Sequence, residues 1–326
     1  MDQKPYRTLS AWCREHYGEK LYKLALNAGL TCPSRDGTLD TRGCIFCSAG
    51  GSGDFAASPS LSIHDQLLAG RRLLSGKKTG NRFIAYFQAF TNTYGPPSYL
   101  ERIYREALRE PDVAGISIAT RPDCLPPEVL SVLLKLKHEF PDKFIWVELG
   151  LQTIHERTAR YIRRGYDLAC FEQAVKALAA LGIPVIVHVI LGLPGEGREE
   201  VLETIRFLNS RPVWGVKLQL LHVLEGTDLA ADFRAGLFQT LSMEAYLELL
   251  CACIAALRPD MVIHRVTGDG PGKLLIAPDW SRNKRRVLNA FHSALKKDGI
   301  TQGCAWMGEG PQLCLFTGQP ADSPDF

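Results

Sequence analysis

The sequence predicts an α/β protein built as a partial (β/α)6 barrel, followed by a C-terminal α/β extension. Six segments rich in β-branched and aromatic residues alternate with longer segments whose apolar residues recur at helical spacing. Alternation sustained over six units favours a parallel sheet flanked by helices. Of the 326 residues, 46% are hydrophobic and 22% are charged, which suits a globular protein with a substantial core.

The predicted strands follow one another from the N-terminal region to about residue 224. They are residues 20–29, 82–90, 114–120, 144–152, 184–192 and 215–224. Helical spacing between the later strands predicts helices at 127–140, 170–182 and 201–209. Ligands of parallel sheets gather at the carboxyl ends of the strands, so the residues that follow each strand are the candidates for a functional site.

The pattern loosens after residue 224. We expect a helix from Ser242 to Leu257, a strand within 261–272 that ends in a turn, and a basic amphipathic helix within 277–299. The expected domains are a core barrel with its N-terminal lead-in over 1–235 and an extension over 236–326. The last twenty or so residues are rich in Gly, Pro and Asp, which predicts partial disorder.

Charge and hydropathy exclude some classes of protein. The formal net charge of +3 does not by itself indicate nucleic-acid or membrane binding. The N-terminal segment has no apolar stretch of signal-peptide length, and the most apolar stretch, 183–194, is short and interrupted by His188. We therefore expect a cytoplasmic protein without a membrane span. The ten cysteines are then interpreted as thiols, ligands or catalytic groups before disulfides.

Three cysteines lie together in a Gly-rich loop after the first predicted strand. Cys32 is followed by Cys44 and Cys47, the last two spaced C-x-x-C. A structural zinc site would need a fourth ligand, for which His64 is a remote candidate. A thioredoxin-type C-x-x-C would leave Cys32 unexplained, and three unrelated buried thiols suit a loop poorly. Three thiolates on a [4Fe–4S] cluster would leave one iron open to a substrate or cofactor.

Several motifs, in order along residues 15–235, resemble the radical SAM superfamily. The cysteines form C-x11-C-x2-C, a longer first gap than the common C-x3-C-x2-C. Longer gaps occur in the branch of the catalytic subunit of Elongator, a tRNA-modifying complex. Segments at 117–125, 147–167, 185–196 and 225–229 resemble motifs of that branch. The segments "NAGLTCPSRDG" (27–37) and "YFQAFTNTY" (86–94) resemble the YhcC-like family most closely.

The resemblance implies a radical SAM barrel, a [4Fe–4S] cluster and S-adenosylmethionine (SAM) as cofactors. Cys32, Cys44 and Cys47 would hold the cluster as metal ligands and catalytic residues, SAM would chelate the fourth iron, and one electron would split SAM to a 5′-deoxyadenosyl radical. Further residues at the strand ends would contact SAM. They are Phe46, Gln88, Thr91, Asn92, Glu148, Gln152, Arg164 and His188.

Each of these roles has a structural alternative. Phe46 would pack on the adenine of SAM, or in the loop itself. Gln88, Thr91 and Asn92 stand where the superfamily binds the methionine amino group, although Asn92 is also a common turn former. Glu148 and Arg164 could form an ion pair with each other instead of binding SAM. His188, expected near the ribose, could be a satisfied core histidine.

The substrate is predicted only by analogy. A base in RNA, such as tRNA, is favoured, with a small molecule as the alternative and a zinc-stabilised RNA-binding module as the non-enzymatic one. The Elongator reaction does not transfer directly, because too few residues remain for its acetyltransferase domain. A basic cluster at Arg282, Lys284, Arg285 and Arg286 would form a solvated helix face, bind RNA phosphates, or dock an electron donor such as flavodoxin or ferredoxin.

Overall fold

The computed structural model describes residues 4–51, 53–74, 76, 80–268 and 270–308. Within these ranges the strands are β1 (Tyr22–Leu26), β2 (Phe83–Phe87), β3 (Val113–Thr120), β4 (Phe144–Gln152), β5 (Val185–Leu191), β6 (Gly215–Leu220), β7 (Val223–Leu224), β8 (Val262–Arg265) and β9 (Leu275–Ala277). The helices are α1 (Leu9–Tyr17), α2 (Ile63–Leu74), α3 (Pro97–Arg109), α4 (Pro127–Glu139), α5 (Glu156–Tyr161), α6 (Leu168–Ala180), α7 (Arg198–Asn209), α8 (Asp228–Arg234), α9 (Met243–Ala256) and α10 (Lys284–Lys297).

The main sheet is a parallel, open barrel of seven strands in the order β1-β2-β3-β4-β5-β6-β8. The predicted partial barrel of strand–helix units is therefore confirmed. The strand expected within 261–272 is β8, and it extends the sheet beyond β6. The segment before α1 runs beside β8, where the Ile263 N–H donates to the Arg7 carbonyl at 2.8 Å.

The prediction of one strand over 215–224 was wrong. The strand ends at Leu220, and the chain then leaves the main sheet, so that Val223 and Leu224 pair antiparallel with β9 in a separate two-stranded sheet. The continuous run of apolar residues hides this break, because both pieces are buried. As a result, part of the C-terminal extension lies beside the carboxyl end of β6.

Alternation along the strands separates an outer core from the barrel interior. In β4, Ile145, Val147 and Leu149 belong to the core that includes the surrounding helices. Phe144 and Trp146 point the other way and pack with Trp12 of α1, in a second cluster that includes Trp214. The Trp146 and Trp214 rings lie 4.6 Å apart. This aromatic plug closes the amino-terminal end of the barrel, so its interior opens at the carboxyl ends of the strands.

Two further cysteines, Cys251 and Cys253, are buried in α9 and belong to the core. Cys314 and the tail predicted to be partly disordered lie outside the described residues. Across the described ranges, every helix is too short or too polar to cross a membrane.

Candidate functional site

The three clustered cysteines lie on the loop that joins β1 to α2. The Arg35 guanidinium holds this loop by donating to the carbonyls of Cys47, at 3.1 Å, and Ser48, at 2.7 Å. Its side chain passes Gly43, where a Cβ would lie 2.8 Å from the Arg35 Nε and where φ is +74°. Only glycine suits that position, because the backbone is left-handed and the space is taken. We call residues 31–51 the thiol loop.

The segment that follows β2 is tied to both ends of the thiol loop. The Thr91 N–H donates to the Thr31 carbonyl at 3.2 Å, and the Phe90 N–H donates to the Gly51 carbonyl at 3.0 Å. Phe90 has a left-handed φ of 61°, and a Cβ on Gly51 would lie 2.4 Å from its ring. This close packing fixes the thiol loop against the sheet.

All of the predicted site residues except Asn92 line one cavity at the carboxyl ends of the strands. They are Cys32, Cys44, Phe46, Cys47, Gln88, Thr91, Glu148, Gln152, Arg164 and His188. The three cysteines are half-buried free thiols. A hydrogen bond between Cys44 and Cys47, together with burial, raises the pKa of the Cys44 thiol. The structure therefore brings together side chains that the sequence places more than 150 residues apart.

This donor set fits a [4Fe–4S] cluster with three protein ligands better than it fits a single metal ion. In the part of the chain that the structure describes, no three His, Cys, Asp or Glu side chains lie close enough to ligate one ion. The thiolates of an iron–sulfur cube bind three different irons, so they need to face one cavity without meeting at a point. Cys32, Cys44 and Cys47 would hold such a cluster.

His64, the remote candidate for a fourth zinc ligand, lies elsewhere. It lies in the first turn of α2 with an exposed side chain, and its Nδ1 is 2.6 Å from the Glu110 carboxylate. That hydrogen bond raises the pKa of the exposed His64 imidazole. A zinc site built from His64 and the thiol loop is thus not formed.

Asn92 lies behind the cavity wall. It is fully buried, and its amide nitrogen donates to the carbonyls of Phe87, at 3.1 Å, and Ala119, at 2.9 Å. The side chain therefore joins the carboxyl ends of β2 and β3. Both amide N–H groups are used by the backbone, whereas the Oδ1 has no hydrogen-bond partner among the described residues, so the contact with SAM stays a prediction.

Arg164 lines the cavity, but its guanidinium is engaged by the protein. It donates to the carbonyls of Tyr166, at 2.9 Å, and Thr153, at 2.7 Å, and forms an ion pair with Glu156 at 2.7 Å. The alternative of a Glu148–Arg164 ion pair was wrong, since each has other partners. Arg164 is better suited to holding the β4–α6 connection than to gripping a carboxylate of SAM.

Gln152, at the end of β4, has an unusual conformation for a non-glycine residue. Its φ is 63°, and its buried Oε1 has no hydrogen-bond partner among the described residues. A Cβ on Gly150 would lie 2.7 Å from the Gln152 Nε2, so the glycine makes room for the amide. Strained backbone and an unsatisfied polar atom in a cavity are typical of a ligand-binding position.

Glu148 stands at the centre of a buried polar network. Its Oε1 accepts from Lys23, at 2.5 Å, and from Ser117, at 2.6 Å. Its Oε2 accepts from His188, at 2.7 Å, and from Lys217. Four donors thus saturate a fully buried carboxylate.

Each strand of the main sheet contributes one side chain at this level of the barrel. We call the set the inner layer: Lys23, Tyr86, Ser117, Glu148, His188, Lys217 and Arg265. Of these residues, only Glu148 and His188 are predicted site residues. The sequence does contain a signal for the two lysines, because each is a charged residue within an apolar strand and faces the side opposite to its neighbours, as Lys217 does between Val216 and Leu218.

The electrostatics of the inner layer follow from burial and mutual proximity. Burial opposes ionisation of Glu148, but the charges of Lys217 and Lys23 outweigh it and hold the pKa of Glu148 well below its usual value. Burial also lowers the pKa of Lys217, with Glu148 acting against the shift. Burial and then Lys217 lower the pKa of His188 to about 4. At neutral pH His188 is therefore an uncharged donor to Glu148.

Arg121 and Asp123, which follow β3, form a two-pronged ion pair. The Arg121 Nε and Nη2 donate to the two Asp123 oxygens at 2.9 and 2.7 Å. Arg121 also lies over the Tyr166 ring at 4.9 Å and lines the cavity beside the thiols. Its charge is thus compensated by the protein.

Comparisons with known proteins agree with this geometry. A model of the Radical SAM superfamily matches residues 41–208, and one of the Radical_SAM C-terminal domain matches residues 213–297. YtqA of Bacillus subtilis is 44% identical over 301 residues, 92% of each chain. YhcC of Escherichia coli is 35% identical over 289 residues, which are 89% of this chain and 91% of YhcC.

Among solved structures, the fold is similar to that of an archaeal Elp3 from Methanocaldococcus infernus with an N-terminal deletion. The TM-score is 0.66 at 16% identity, covering 86% of this chain and 64% of that one. This structural similarity shows the fold alone. The family is shown by the Radical SAM model, which matches more than half of the chain, and by relatives such as YtqA, which aligns with 92% of it. The chain belongs to the radical SAM superfamily of enzymes.

Proposed function

We propose that this enzyme cleaves SAM reductively at a cluster held by Cys32, Cys44 and Cys47. One observation carries the proposal: the three thiols lie on a single fixed loop and line the cavity at the carboxyl ends of the strands, opposite the aromatic plug. The cofactors of the superfamily are a [4Fe–4S] cluster and SAM. When bound, they supply a 5′-deoxyadenosyl radical.

The residues around the thiols would bind and orient SAM. Phe46 is half-buried beside Cys47 and lines both this cavity and an adjoining one, so its ring offers an apolar face for the adenine. Gln88 and Thr91 follow β2, and the unsatisfied Gln152 Oε1 can accept from the methionine amino group. The aromatic plug excludes water at the amino-terminal end of the barrel, and this exclusion protects a reactive carbon radical.

The test of this function is release of 5′-deoxyadenosine. Anaerobically reconstituted protein, given dithionite and SAM, is expected to release it even without substrate, since reductive cleavage needs only the cluster and SAM. Colourless protein that holds one zinc and releases none would favour the RNA-binding module instead.

We propose an RNA base as the substrate, because the basic cluster adjoins the mouth of the cavity. Arg282 donates to the Gly272 carbonyl at 2.6 Å. The neighbouring residues Gly268, Gly270 and Pro271 line the adjoining cavity, together with Phe46 and Cys47. A polyanion bound across the start of α10 would therefore lie close to the thiol loop.

The position of these cations on α10 also argues for a ligand. Lys284, Arg285 and Arg286 are exposed and occupy the first turn of the helix, which carries no acidic residue. Cations there oppose the helix dipole and cost roughly 0.3–1 kcal/mol each. Helix stability does not explain them, whereas phosphate binding does.

Replacing Arg285 and Arg286 with glutamate is therefore expected to weaken tRNA binding about tenfold or more. The slope of the logarithm of the binding constant against the logarithm of the salt concentration should fall by about one to two, roughly one for each lost phosphate contact. The same change should preserve thermal stability, because it suits the helix dipole. Filter binding over a range of salt concentrations measures the first effect, and thermal melting the second.

The matched control is Lys296→Glu with Lys297→Glu, at the other end of the same helix. Equal weakening by both pairs, or no tRNA binding by the unchanged protein at low salt, would count against RNA. A small-molecule substrate would then be favoured, and the patch would remain as a docking surface for an acidic electron donor such as flavodoxin or ferredoxin.

A further inference from the structure

The inner layer holds three basic side chains, Lys23, Lys217 and Arg265, and one acidic side chain, Glu148. Lys23 and Lys217 share a single carboxylate, Glu148, which is the one acidic side chain among the described residues that line the cavity. Both lysines are largely removed from water, with side-chain exposures of 20% for Lys23 and 4% for Lys217. Burying an uncompensated ammonium is costly, so the arrangement is suited to a second anion.

The other cations of the cavity wall do not create this excess. Arg121 is paired with Asp123, and Arg164 with Glu156. Arg35 is bound to carbonyls of the thiol loop, close to where the thiolates would carry negative charge. The unbalanced charge therefore belongs to the inner layer, away from the thiols.

The inner layer lies deeper than the methionine part of SAM, which is expected beside the thiols, even if the ribose approaches His188. Ile45 of the thiol loop packs in one cluster with Ile190 of β5, whereas His188 lies two residues nearer the amino end. Two residues of a strand correspond to about 7 Å. SAM is expected to chelate an iron at the level of the thiols, so its own carboxylate would not reach Lys217.

We propose that the inner layer binds a carboxylate or phosphate group of a small reactant that enters the barrel beyond SAM. Lys217 lines the cavity and donates to Glu148 and to the Tyr86 hydroxyl, the latter at 2.9 Å, whereas an ammonium has three donors. An RNA base would bring no phosphate this far, because the phosphates stay with the backbone. The anion thus belongs to a small substrate or co-substrate.

This inference rests on the proposed radical chemistry only for the nature of the reactant, since anion binding is measurable without turnover. The probes are sodium acetate and sodium phosphate, titrated into the SAM-loaded holoenzyme by calorimetry at constant ionic strength. At least one anion is expected to bind at about one site per chain. Comparison of the acetate titration with the phosphate titration distinguishes a carboxylate site from a phosphate site.

Lys217→Met is expected to weaken the binding of that anion at least tenfold and to leave SAM affinity unchanged. It keeps Glu148 paired with Lys23, so the fold should survive. Lys217→Arg should retain part of the affinity, and Lys296→Met, on the surface, all of it. If Lys217→Met does not fold, Lys217→Gln provides the second test, because it keeps a hydrogen-bond donor without the charge; unchanged SAM affinity and weakened anion binding are expected.

Absence of binding by both anions, or equal binding by the wild type and Lys217→Met, would overturn the anion site. Loss of SAM affinity in step with anion affinity would also overturn it, because the lysine would then serve SAM. Anion binding without any release of 5′-deoxyadenosine would leave the anion site standing and contradict the radical function instead.

Discussion

Replacing Cys44 with alanine is expected to abolish the release of 5′-deoxyadenosine. The thiol loop offers three sulfur ligands, and losing one leaves two irons of the cube without a protein ligand. A cluster held by two thiolates should be lost or unable to present a single open corner. Iron and sulfide per chain, measured after anaerobic reconstitution, should fall well below the wild-type level of about four each.

The matched control is Cys304→Ala, because Cys304 is an exposed thiol outside the cavity. It should leave the iron content and the release of 5′-deoxyadenosine at wild-type levels. Full iron content and activity in Cys44→Ala would show that the thiol loop is not the ligand set. Equal losses in the two variants would point to general thiol damage during reconstitution.

Glu148→Gln is expected to cause the largest loss of stability. The change leaves the ammonium groups of Lys23 and Lys217 facing each other in a buried site without a carboxylate. Removing one partner of a buried ion pair costs about 3–5 kcal/mol, because the other charge stays uncompensated. In thermal melting, this corresponds to a drop in Tm of roughly 4–7 °C for a protein of this size.

Glu156→Gln is the control, because it also removes a carboxylate that pairs with a buried cation. Glu156 is 45% exposed, and its partner Arg164 keeps its bonds to backbone carbonyls. The expected loss is about 1 kcal/mol or less. Adding Lys217→Met to Glu148→Gln should recover part of the lost stability. Equal melting temperatures for the two single variants would contradict the central role of Glu148.

Much of the fold follows from local sequence patterns. The first five predicted strands match β1 to β5 to within three residues at each end, because runs of β-branched residues bounded by turn residues are a local signal. The carboxyl ends of parallel strands meet at one edge, which predicts one region for Cys32, Gln88 and Gln152, and the resemblance to the radical SAM superfamily adds His188. The described cavity contains all four.

The rest depends on contacts between distant residues. Lys23 and Lys217 lie 125 and 69 residues from Glu148, and no local pattern pairs them. A buried Glu148 needs a partner, and the sequence suggests Arg164 for this role because it is near along the chain and lies on the same motif. The pairing of β7 with β9 is likewise non-local, which is why the end of the predicted sixth strand was assigned wrongly.

The central claim is that a cluster held by three thiols keeps one iron open for SAM. The electron paramagnetic resonance spectrum of the dithionite-reduced holoenzyme, recorded with and without SAM, tests it most directly. We expect a [4Fe–4S] signal whose g values shift on addition of about one SAM per cluster, because SAM then ligates an iron. A signal unchanged at saturating SAM, or no cluster signal at all, would contradict the claim.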